Sequence, residues 1–113
     1  MKNELSKREK AIMRQLIDKG LEADFAQALK EAENIIDQWR LTQKTNREAF
    51  HELLDGLKTY RKFLAQRYDG ITGSGYLPTA ITIYRDKLIT EDDLQELRED
   101  LREHIIRLGS IVY

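Results

Sequence analysis

Between Tyr68 and Pro78 the chain gathers three of its six glycines and its only proline; elsewhere its apolar residues recur at the three- and four-residue spacing of a helix. Glycine leaves the backbone unconstrained and proline withholds an N–H, so helical order is expected to break there. Periodic helices on both sides of one such break constrain the chain to an all-α fold. The expected form is a bundle of four principal helices with a short fifth helix after the Gly-rich loop, residues 1–113 making a single helical domain.

Start and stop signals divide the periodic stretches. The first helix is expected from Leu5 to Lys19: Ser6 and Glu9 form an S-x-x-E capping box, Ile12, Met13, Leu16 and Ile17 form the apolar stripe, and Gly20 stands where a left-handed cap would close it. The second, Glu22 to Leu41, has a seam of Leu21, Phe25, Ala28, Ala32, Ile35 and Trp39, widened by Leu29 and Ile36. That seam predicts burial of Phe25 and Trp39. The third opens at Thr45, boxed by Glu48, and carries Phe50, Leu53, Leu57, Tyr60 and Leu64, flanked by Leu54, Phe63 and Tyr68. Gly56 lies inside it at a cost of about 1 kcal/mol relative to alanine. Turns at Gly20 and Thr42-Gln43-Lys44 predict antiparallel neighbours.

Beyond the loop, Pro78 suits the first position of a short helix whose face would be Leu77, Ile81, Tyr84 and Leu88. Residues 79–87 also alternate as a strand through Ile81-Thr82-Ile83-Tyr84, but a lone strand has no partner in this chain, so a helix is preferred. The last helix is expected from Thr90 as cap, with Glu91, Asp92 and Asp93 in its first turn. Its stripe is Leu94, Leu97, Leu101, Ile105 and Leu108, closed by Gly109.

Composition bounds the chemistry. The chain has no cysteine, which excludes disulfides, zinc–thiolate sites and cysteine nucleophiles and suits a cytoplasmic location. Met1 to Gly20 has no apolar centre of a signal peptide, and no stretch is long and apolar enough to span a membrane, so no membrane association is expected. A formal net charge of −1 argues against a dedicated nucleic-acid binder. The charge is unevenly spread: residues 1–67 hold 14 Lys/Arg against 11 Asp/Glu (+3), and residues 68–113 hold 5 against 9 (−4), which together give the −1.

No catalytic, cofactor or metal constellation emerges. Glu48-x-x-His51 has the spacing of a bundle carboxylate–histidine pair, but no second such pair exists, because Leu101 precedes His104 by three. The Gly-rich stretch lacks the Gly-Lys-Ser/Thr ending of a phosphate loop and follows a helix rather than a strand. Two surfaces remain. Arg67, Tyr68, Asp69, Thr72, Ser74 and Tyr76 form a candidate binding loop offering stacking and charge to a small ligand or peptide. Lys58, Arg61, Lys62 and Arg67 form a basic strip suited to a nucleic-acid backbone or to pairing with the acidic last helix.

The expectation is therefore a small soluble helical protein without catalytic activity, a protein-interaction or adaptor module. It is expected to self-associate as a homodimer, because Leu29, Ile36, Leu54, Phe63 and the tail Ile111-Val112-Tyr113 exceed what four helices can cover. The opposite charges of the two halves favour an antiparallel two-fold arrangement with each basic third helix facing an acidic fourth across the axis.

Overall fold

A computed structural model describes residues 4–111, so Val112 and Tyr113 of the apolar tail lie outside the described residues. The fold is all-α. Four helices, α1 (Lys7–Arg40), α2 (Asn46–Tyr68), α3 (Gly73–Arg85) and α4 (Glu99–Gly109), are joined by short connections, with one 3-10 turn at Asp92–Leu94 and no strand among the described residues. The backbone forms two compact units. Among the described residues, one holds the chain up to Glu22 together with that from Gly70 onward, and the other is Ala23–Asp69.

The first unit contains nearly all of the buried apolar side chains. Ile12, Met13, Leu16 and Ile17 of α1 are buried, as are Leu77, Ala80 and Ile83 of α3, Ile89 and the run Leu94, Leu97, Leu101 and Ile105. Burying each large aliphatic contributes about 1.5–3 kcal/mol, so this cluster is the stabilising core. The Ser6–Glu9 capping box forms as its spacing predicts: Ser6 N donates to Glu9 Oε1 (2.9 Å) and Glu9 N donates to Ser6 Oγ (3.1 Å). Arg98 then bonds the same Glu9 oxygen at 3.2 Å, tying the start of α1 to the start of α4.

The two helices expected on either side of Gly20 are one helix. Gly20 is buried in the middle of α1, where an added Cβ would stand 3.0 Å from Ile83 Cδ1 and 3.2 Å from Ile83 Cγ2. The missing side chain admits Ile83, and the following Leu21, Glu22 and Ala23 are good helix formers that carry the turn onward. A capping glycine and a close-packing glycine share one sequence signature, and here tertiary packing decides between them.

The loop after α2 is also shorter than expected. Asp69 caps α2 through its N–H to Ala65 O, Gly70 takes a left-handed φ of +70°, and Gly73-Ser74-Gly75 already form the first turn of α3. Pro78 therefore lies inside α3 rather than at its start. The helical reading of 79–87 holds through Arg85, but the buried face is Leu77, Ala80 and Ile83, rotated from the expected Leu77, Ile81 and Tyr84. The helix expected from Thr90 is divided. Thr90 and Asp93 exchange capping bonds (Thr90 N to Asp93 Oδ2, 2.7 Å), yet only a 3-10 turn follows, and Arg98 is extended (φ −59°, ψ 152°) where α4 is capped.

The second unit is a helical hairpin made of α1 from Ala23 onward and α2, closed by the connection Leu41–Thr45. The Thr45–Glu48 capping box is present, and Trp39 Nε1 donates to Asn46 Oδ1 at 2.7 Å across the turn. Ala49 is the only buried hydrophobic residue described here. Phe25 and Trp39 are 46 % and 43 % exposed, contrary to the burial their seam predicts. Each helix of a hairpin has one neighbour, which shields the inner edge of an apolar stripe and leaves its shoulder open.

Candidate functional site

Among the described residues, eight of the nine large exposed apolar side chains lie on this hairpin: Phe25, Leu29, Trp39, Leu41, Phe50, Leu54, Leu57 and Phe63. Their spacing arranges them. Phe25, Leu29 and Ile36 run along α1, and Phe50, Leu54 and Leu57 run along α2, each set three, four or seven residues apart and hence on one side of its helix. An apolar groove of about 270 Å³ joins the two stripes near the turn, lined by Ile35, Ile36, Trp39, Asn46, Ala49, Phe50 and Leu53. Phe50 and Leu29 are 63 % and 67 % exposed. A second, wide-open depression of about 820 Å³ is more polar, with Glu31, Glu52, Asp55 and Thr59 beside Tyr60 and Phe63.

The side of the hairpin away from the turn is held by a polar cluster that spacing alone did not reveal. Asp24, 4 % exposed, accepts from Tyr68 Oη at 2.6 Å and from Arg67 Nη1 at 3.1 Å. The Arg67 guanidinium also lies 4.4 Å from the centre of the Phe63 ring. Burial first, then the bond to Asp24, raises the Tyr68 hydroxyl well above the usual tyrosine range, so it stays a neutral donor. Tyr60 is raised too, by burial and then by the charge of Glu31. One signal for the cluster was present: Asp24 interrupts the α1 seam between Leu21 and Ala28. Its partners lie 43 and 44 residues away.

The candidate loop residues are therefore dispersed. Arg67 and Tyr68 belong to the last turn of α2 and engage Asp24, Asp69 caps α2, Thr72 stands before α3 without a side-chain capping bond, its Oγ1 3.4 Å from Ser74 Oγ, and Tyr76 is half-buried in α3. Of the basic strip, Lys58, Arg61 and Lys62 are exposed on α2, while Arg67 is drawn to Asp24 and Phe63. His51 is exposed beside Phe50, and His104 Nδ1 lies 3.2 Å from Arg107 Nη2. Among the described residues no group of three or more His, Cys, Asp or Glu is placed to hold a metal, and no helix is long and apolar enough to cross a membrane.

No family model matches the chain, and neither the curated proteins nor the solved structures offer a match.

Proposed function

We propose that this chain is a small, non-catalytic protein-interaction module of the cytoplasm that self-associates as a homodimer, with the apolar face of the Ala23–Asp69 hairpin as its docking surface. One observation carries the reading: the first unit holds a buried apolar core, whereas the hairpin leaves Phe25, Leu29, Phe50, Leu54 and Leu57 in solvent. Soluble chains seldom expose a contiguous apolar surface of this kind unless it meets a partner. A helical pair with one open face fits another pair of the same kind, because four helices complete the layer that two cannot.

Trp39, the only tryptophan, lines the apolar groove and reports on its occupancy. Raising the concentration of the unaltered chain from nanomolar to micromolar should shift Trp39 emission to the blue and protect it from iodide. The variant Leu29→Ser, Leu54→Ser, Leu57→Ser should keep its helical circular dichroism and lose the shift. Emission that is independent of concentration in the unaltered chain would remove the docking reading.

A further inference from the structure

Resting on that reading, we infer that the second copy is seated crosswise in order, with the α1 segment of each hairpin lying on α2 of the other, and that charge selects this seating. Two ways of stacking identical hairpins by a two-fold axis bring their open faces together. An axis along the helices places α1 on the partner's α2, and an axis across them places α1 on α1 and α2 on α2.

The charges distinguish the two. Within the hairpin, the α1 segment 23–40 holds four acidic and two basic residues, and α2 holds five basic and three acidic. The segments thus carry −2 and +2. The imbalance extends to the apolar stripes. Glu33 lies four residues after Leu29 and three before Ile36, so it shares the open stripe of α1, as does Arg40 four residues after Ile36 at the turn end, while Lys58 and Arg61 follow Leu54 and Leu57 by four on the stripe of α2. Within the hairpin, Asp24 pairs with Arg67 and Glu52 with Lys44. Glu33, Lys58 and Arg61 enter no ion pair among the described residues, and all three are exposed. Placing α1 on the partner's α2 sets the net-acidic segment on the net-basic one twice, with Glu33 on the side of Lys58 and Arg61. The alternative sets like charge on like charge twice, which disfavours that register. Glu33, Lys58 and Arg61 are in this arrangement specificity-determining residues for recognition of a second copy of the chain.

Charge reversal tests the seating separately from the dimer itself. Glu33→Lys alone, and Lys58→Glu with Arg61→Glu, should each weaken dimerisation about tenfold, more at low salt than at high. All three together in one chain should restore affinity to near that of the unaltered protein, which shows that the losses come from charge pairing and not from a damaged fold. Sedimentation equilibrium gives the constants, and circular dichroism checks helicity. Reversals on one helix that leave the dimer unchanged or tighten it would assign the like-on-like seating, and a triple variant as weak as its parents would remove charge as the selector. An unaltered chain that stays monomeric would overturn the docking reading and this one with it, whereas a dimer indifferent to the reversals overturns only the seating.

Discussion

Asp24 shows how one buried charge is held. Its carboxylate is removed from water by the two helices around it and is compensated by a guanidinium and a phenol from the end of α2. Tyr68→Phe keeps the ring and removes the donor, and should cost about 1–2 kcal/mol in urea unfolding, because Arg67 still satisfies part of the carboxylate. The pH dependence has a definite sign. With the folded hydroxyl raised above its unfolded value near 10, the bond contributes fully below about pH 10 and is lost as pH rises beyond it, because the unfolded tyrosine ionises first. Stability of the unaltered chain should therefore fall more steeply above pH 10 than that of Tyr68→Phe; parallel curves would deny Tyr68 this role. Asp93 behaves in the opposite sense. Its bond from Lys19, then those from Thr90, hold its carboxyl below the usual range, so its contribution is complete above about pH 4 and disappears as pH falls through the lowered value. Asp93→Asn should flatten the acid limb of the stability curve below about pH 4.

At the scale of elements, two mid-helix glycines give opposite expectations. A Cβ on Gly56 would meet nothing within 4 Å, so Gly56→Ala should stabilise by about 0.5–1 kcal/mol through helix propensity alone. A Cβ on Gly20 would press on the branched, stiff Ile83 at 3.0–3.3 Å, and Gly20→Ala should cost about 1–3 kcal/mol despite the same propensity gain. Thermal unfolding of the pair checks both signs. Local chemistry made much of the fold legible in advance. The two capping boxes, the Ile12–Ile17 and Leu94–Ile105 core positions and the helical state of 79–85 rest on spacing and nearby side chains, and they stand as expected. What local chemistry could not supply was the neighbour. Whether Gly20 ends a helix or receives Ile83, where α3 begins, and whether Phe25 and Trp39 find a covering layer all depend on residues distant in sequence. The surplus apolar surface of Leu29, Ile36, Leu54 and Phe63 and its place on two antiparallel neighbours were visible in the spacing, but not that Phe25 and Trp39 would stay open beside it.

For the whole molecule, the apolar residues are divided unequally between the two units. The unit around α3 and α4 has a core, and the hairpin has an open face. In the proposed homodimer each hairpin would gain the layer it lacks. Sedimentation equilibrium of the unaltered chain over a micromolar concentration range tests this most directly. A self-associating chain reaches a mass approaching twice the 13.3 kDa of one chain as concentration rises, and a mass of one chain throughout would rule out the dimer.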